Sequence, residues 1–312
     1  MAFSDGASSA LDTAPEPDRH GVAYGVSTAG FHRISYTDWG PPEEDAAVLC
    51  LHGLTRQGRD FDYLAATLAR HGRRVLCPDL PGRGRSDRLP TAFNYVFPQH
   101  CADAAAIIVA TRSRQVDWVG SSIGGLIGMA LAAVPGSPIR RLVINDIGPS
   151  VPAAAASRVA EKLARMPQHF TTFDHALDYF RDEFRSYGDL ENAHWAHVTH
   201  HSIEWVDQRS RYRVRLDRNI VHAMNLFHYY GMPLWNFWTN IRVPVLILAG
   251  ADSDFLPPAL AAEMQRRNPR ARLLTVPGVG HMPMLMKQDE ITPVVRFLLG
   301  EDEPGSSASR RG

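Results

Sequence analysis

Six short runs of almost unbroken aliphatic residues constrain this chain most. They are 46–51 (AAVLCL), 74–79 (RVLCPD), 115–120 (QVDWVG), 141–145 (RLVIN), 243–249 (VPVLILA) and 271–276 (ARLLTV). A strand with one wet face alternates apolar and polar residues, and most of these runs do not. Continuous apolar strands are buried on both faces, which is the condition of a parallel sheet covered by helices. Helical spacing appears between them: Ile123, Leu126, Ile127, Ala130 and Leu131 recur on one face. So do Ile291, Val294, Val295, Leu298 and Leu299, with Gly300 as the stop. Strand and helix alternate through 46–146 and again through 243–299, which predicts an α/β fold on a mostly parallel twisted sheet. Segments 21–28 and 31–39 do alternate and are expected to form an antiparallel edge hairpin.

The rhythm breaks between residues 148 and 241. This stretch holds 15 of the 28 aromatic residues and 8 of the 14 histidines. It reads as several amphipathic helices without a clear buried strand. Placed between two sheet strands, it is expected to be a helical cap over the open end of the sheet. The expected organisation is a disordered tail over 1–20, a core over 21–147 and 242–300, the cap over 148–241 and a second disordered tail over 301–312. A chain of 312 residues, 45% of them hydrophobic, is long enough for one large core carrying such an insertion.

Charge and cysteine content exclude several classes of function. Thirty-three basic and 33 acidic side chains leave a formal net charge of zero. No overall basic field gathers nucleic acid or an anionic membrane, so the expected partner is a small molecule or another protein. No apolar run approaches the length of a membrane span. The first twenty residues lack the basic and apolar regions of a secretory signal. Cys50, Cys77 and Cys101 form an odd, sparse set with no ligand spacing, which argues against a disulfide framework or a cysteine metal site. A reducing cytoplasm is the expected compartment. Nothing in the sequence fixes an oligomeric state.

The chemistry is most legible in Trp118-Val119-Gly120-Ser121-Ser122-Ile123-Gly124-Gly125, where a strand runs directly into a helix. A serine hydroxyl is a weak nucleophile and must be held out towards a base and a substrate. A very sharp strand-to-helix turn does this but crowds the backbone, so small residues are needed two before and two after the serine. Gly120 and Gly124 meet that need for Ser122. For Ser121 the corresponding residues are Val119 and Ile123, which are too large. The helix that follows Ser122 adds exposed N–H groups suited to a developing oxyanion.

With this turn, three further blocks resemble the α/β-hydrolase fold superfamily: Leu51-His52-Gly53-Leu54, residues 79–86 (DLPGRGRS) and Gly278-Val279-Gly280-His281. The resemblance covers about residues 21–300. It implies a serine hydrolase whose general base is His281, in a glycine-flanked loop after the last strand. The acid it implies is Asp254, in the loop after 243–249; Asp146, after 141–145, is the alternative acid. The residue after His-Gly, Leu54, and the residue after the nucleophile, Ile123, are the implied backbone donors of an oxyanion hole. His52 reads as a loop-organising residue. Residues 82–86 (GRGRS) lack the ending of a phosphate loop and read as a structural turn.

The insertion contributes two further expectations. His194, His197 and His201 share one helix face by spacing, but no metal-hydrolase signature surrounds them, so no metal is assigned. The run 225–238 (NLFHYYGMPLWNFW) carries six aromatics. Met232, Trp235 and Trp238 are expected to line the pocket roof, since small-ligand pockets are largely apolar. The expected activity is hydrolysis of a small, largely apolar carboxylic ester through an acyl-enzyme, without a cofactor. Carbon–carbon hydrolysis of dienoic diketo acids, with Arg211 or Arg213 as carboxylate partner, is the rival enzyme reading. A receptor that kept the hydrolase fold is the non-enzymatic one.

Overall fold

The computed structural model describes residues 14–43, 45–227 and 234–301. Its core is one eight-stranded sheet. In chain order the strands are β1 (Arg19–Ser27), β2 (Gly30–Trp39), β3 (Ala46–Leu51), β4 (Val75–Pro78), β5 (Gln115–Ser121), β6 (Ile139–Asn145) and, after the insertion, two more introduced below. Those two are Val245–Gly250 and Ala271–Val276. All six aliphatic runs are therefore strands. β3 and β4 are buried at every residue, as their unbroken apolar sequence demands.

Strands β1 and β2 pair antiparallel in a hairpin, and β2 pairs antiparallel with β4. Every other neighbour in the sheet is parallel. The hairpin was expected from its alternation, but Arg19 and His20, assigned to a tail, already belong to β1. Residues 14–18 and 301 of the expected tails are described as well, and residues 1–13 and 302–312 lie outside the described residues.

Helices α1 (Asp62–Arg70), α2 (Phe97–Thr111) and α3 (Ile123–Ala132) connect the first strands. Trp118, Val119, Ile127, Leu142 and Ile144 have no exposed surface, so α3 packs onto the middle of the sheet. Burying one such aliphatic side chain is worth about 1.5–3 kcal/mol, which fixes the helix and hence the serine at its start.

The insertion contains α4 (Ala153–Arg165), strand β7 (His169–Phe170), α5 (Phe173–Glu183), α6 (Asn192–Ser202), strands β8 (Ile203–Val206) and β9 (Arg211–Val214), α7 (Asn219–Phe227) and α8 (Trp235–Asn240). The three strands form their own antiparallel sheet in the order β7-β9-β8. This corrects the purely helical expectation. Strands of two to four residues, mostly half-buried, are too short to show either a continuous apolar run or a clear alternation. The chain then returns to the core through β10 (Val245–Gly250), α9 (Pro258–Arg267), β11 (Ala271–Val276) and α10 (Gln288–Leu298). Among the described residues no helix is long and apolar enough to cross a membrane.

Candidate active site

The turn between β5 and α3 has the geometry that its sequence demands. Ser122 has φ +51° and ψ −117°, a conformation side-chain-bearing residues rarely adopt. A Cβ on Gly120 would lie 2.3 Å from the Gly124 carbonyl oxygen, and one on Gly124 would lie 2.1 Å from that of Leu51. Neither position tolerates a larger residue unless the backbone moves. The Ser122 N–H donates to Asn145 O at 2.9 Å, tying the strained residue to the end of β6. Ser121 is held away from this chemistry: its Oγ accepts from Asn145 Nδ2 at 2.9 Å, and the same amide donates to Pro283 O at 2.8 Å.

Ser122 Oγ lies 3.1 Å from His281 Nε2. On the other side of the imidazole, Nδ1 lies 2.8 Å from Asp146 Oδ2. Asp146 is fully buried. Its Oδ1 accepts from the Gly250 N–H at 2.8 Å, and its Oδ2 also accepts from Ser253 Oγ at 2.6 Å. With the imidazole that makes three donors on one carboxylate, enough to offset the cost of burying its charge. The Phe255 ring stacks on the imidazole at 3.8 Å between centroids, fixing the ring plane.

Asp254, the acid expected from the sequence, is not in this group. Its side chain is half exposed and pairs with Arg158 on α4. In the turn after β10 it is Ser253 that is buried and reaches the histidine's acid, so the next side chain points outward. The two aspartates end neighbouring parallel strands, β6 and β10. Sequence alone does not tell which of two adjacent strand ends turns its carboxylate towards His281.

The loop after β3 lies against the serine. A Cβ on Gly53 would stand 3.6 Å from Ser122 Cβ. Ile123 opens α3, so its N–H is one of the helix's first four, which have no intrahelical acceptor. His52 organises the loop, as expected. Its Nε2 accepts from the Leu80 N–H at 2.9 Å, which leaves Nδ1–H to donate to Gly53 O at 2.7 Å. Complete burial pushes its pKa down to about 3, so the ring stays neutral. Arg83, in the glycine-rich turn, is a residue that the sequence did not single out. It is 1% exposed and donates from Nε to Leu54 O at 2.9 Å, which fixes the peptide next to the proposed donor.

A cavity of about 240 Å³ opens beside His281. Val159, Leu163, Met166, Phe184 and Phe255 line it, and so do Arg158, Lys162 and Asp254. Trp235 and Trp238 do not, contrary to expectation. Trp238 is fully buried and donates from Nε1 to Met264 O at 2.9 Å, while Arg267 lies 4.3 Å over the Trp235 ring. Both rings thus anchor the return of the insertion onto α9, the ordinary structural use of clustered aromatics. Met232 lies outside the described residues. The lining from α4 was readable in part, because Val159 and Leu163 are four apart on an amphipathic helix.

Residues 46–288 match the family model described as alpha/beta hydrolase fold. The chain belongs to this hydrolase-fold family. Among its relatives, a 3-hydroxybutyrate-oligomer hydrolase of Cupriavidus necator is 36% identical over 292 residues, spanning 90% of this chain and 98% of that protein. An sn-1-specific diacylglycerol lipase of Mus musculus is 28% identical over 258 residues, covering 81% and 80% of the two chains. A crystal structure of an alpha/beta hydrolase from Novosphingobium aromaticivorans superposes with a TM-score of 0.80 at 29% identity, covering 90% of this chain and 98% of that one. The fold and these relatives support a hydrolase.

Proposed function

We propose that this hydrolase cleaves carboxylic esters through an acyl-enzyme, with Ser122 as nucleophile, His281 as general base and Asp146 as the acid that orients it. The observation that carries the reading is the continuous hydrogen-bonded path from Ser122 Oγ through the imidazole to the buried Asp146. In this scheme the Ser122 hydroxyl attacks the ester carbonyl carbon while its proton passes to His281 Nε2. Asp146 holds the Nδ1 proton and stabilises the imidazolium. The N–H groups of Leu54 and Ile123 receive the tetrahedral oxyanion. Collapse expels the alkoxide, which takes the proton from His281. Water, deprotonated by the same imidazole, then attacks the acyl-enzyme and frees the carboxylic acid and Ser122. No step calls for a cofactor.

The substrate class we infer is a short oligoester of a 3-hydroxy acid, in line with the similarity to the Cupriavidus necator protein. The small, mainly apolar cavity suits a short acyl unit better than a long fatty chain. The arginines expected for the rival carbon–carbon hydrolase reading are elsewhere: Arg211 and Arg213 lie on β9, and neither lines the cavity beside His281, where the cations are Arg158 and Lys162. Wild type and Ser122→Ala are to be assayed on 3-hydroxybutyrate trimer and on short aryl esters. Turnover of both by wild type and of neither by the variant is expected. Undiminished turnover by Ser122→Ala refutes the mechanism, whereas aryl-ester cleavage with an untouched trimer refutes only the substrate class.

A further inference from the structure

Away from Ser122, the insertion meets the core at three clustered side chains, two of which hold a buried polar atom without a partner. Asp62 begins α1 and is completely buried. His197 is 1% exposed, and His201 is partly buried; both lie on α6, one turn apart. Each offers one ligand atom, and the three atoms lie within 4.8 Å of one another. Asp62 Oδ1 and His197 Nδ1 are both buried without a hydrogen-bond partner. Buried polar atoms are nearly always paired, so two orphans in one cluster call for an explanation.

The surroundings have the form of a metal ligand set. His197 Nε2 lies 2.9 Å from the Arg59 carbonyl oxygen and 3.3 Å from Asp62 Oδ2, so this nitrogen faces the carboxylate, while Nδ1 has no partner. Arg59 Nε donates to Asp62 Oδ2 at 2.5 Å, so Oδ1 is the free oxygen. Glu16 pairs with Arg59 at 2.9 Å, so two carboxylates share the arginine's charge. His201 and Arg59 line a cavity of about 840 Å³, which gives an ion a route in and room for an exogenous ligand.

We propose that Asp62, His197 and His201 form a divalent transition-metal site of the zinc class that joins the insertion to the core. Two imidazoles and a carboxylate suit zinc, cobalt or nickel over magnesium or calcium. Three protein ligands leave a fourth, tetrahedral position facing the large cavity. The sequence did not assign this site because its acid precedes His197 by 135 residues and comes from another element, whereas Glu191 and Glu204 are the acids near in sequence.

The test uses the full chain, freed of metal with a chelator. Zinc is titrated by calorimetry, and cobalt is followed through its visible absorption. One equivalent is expected to bind, with the intense cobalt bands of a tetrahedral site. His201→Ala and the size-conserving His201→Gln are expected to lose at least about tenfold in affinity. Both should fold, because His201 is partly exposed; circular dichroism checks this. His281→Ala should bind as wild type does, which separates this site from the catalytic histidine. No saturable binding in wild type, or equal binding in the His201 variants, overturns the proposal.

Discussion

Two loops at neighbouring strand ends each present an aspartate, and they differ in every physical respect. The loop after β6 buries Asp146 completely and gives its carboxylate three donors: the Gly250 N–H, Ser253 Oγ and His281 Nδ1. The loop after β10 leaves Asp254 half exposed, with Arg158 of the insertion as its partner. A buried carboxylate fully hydrogen-bonded to fixed groups is rigid and can hold an imidazole in one tautomer. An exposed pair on the surface contributes little and is screened by salt. A loop's place in the sheet nominates an acid, while burial and donors distinguish the two carboxylates.

The largest effect should come from the residue that both loops ultimately serve. Ser122→Ala is expected to lower kcat by at least about 10⁴-fold with the fold intact, measured by ester hydrolysis alongside circular dichroism. Asp146→Asn, which offers His281 an amide in place of a carboxylate, should lower kcat by about 10³–10⁴-fold. Equal activity in that variant would remove the distinction between the two loops.

The same contrast between buried and exposed polar groups applies to the histidines. His52 is neutral when folded, with a pKa near 3, whereas an unfolded histidine titrates near 6.5. Its folded pKa lies below its unfolded one, so between those values the unfolded chain binds the extra proton and stability falls with falling pH. The loss from this one group is about 1.4 kcal/mol per pH unit below about pH 6.5. Thermal midpoints measured from pH 7 to pH 5 should therefore decrease, and His52→Asn should flatten that slope. A slope that is unchanged in the variant assigns the acid sensitivity to other groups.

Smaller effects sharpen the comparison further. Ser253→Ala removes one of the three donors on Asp146 and is expected to cost about tenfold in kcat/KM, about the worth of one hydrogen bond to a charged group. Asp254→Asn should change kcat/KM by less than about twofold, in keeping with an exposed ion pair. A loss in Asp254→Asn that exceeds the loss in Ser253→Ala would reverse the ranking.

The core was legible in the sequence because its signals are local. Continuous apolar runs marked the six strands β3 to β6, β10 and β11, and Gly120 and Gly124 singled out Ser122 over Ser121 through steric crowding that the structure places at 2.1–2.3 Å. The same holds for His52, whose position at a strand end marked it as a loop organiser. What was not legible depends on side-chain direction across long separations. Asp146 meets His281 over 135 residues, and Arg83 grips Leu54 O from a turn that reads as punctuation. The aromatic run suggested a pocket roof, yet Trp238 anchors α9 and the wall comes from α4. Apolar composition does not tell a pocket wall from a packed joint.

The central claim is that Asp146, not Asp254, holds the His281 Nδ1 proton. Low-field proton NMR reads that proton directly, without turnover. Wild type and Asp254→Asn are predicted to share a strongly downfield Nδ1–H resonance, and Asp146→Asn to lack it. A resonance that survives in Asp146→Asn and vanishes in Asp254→Asn would contradict the account.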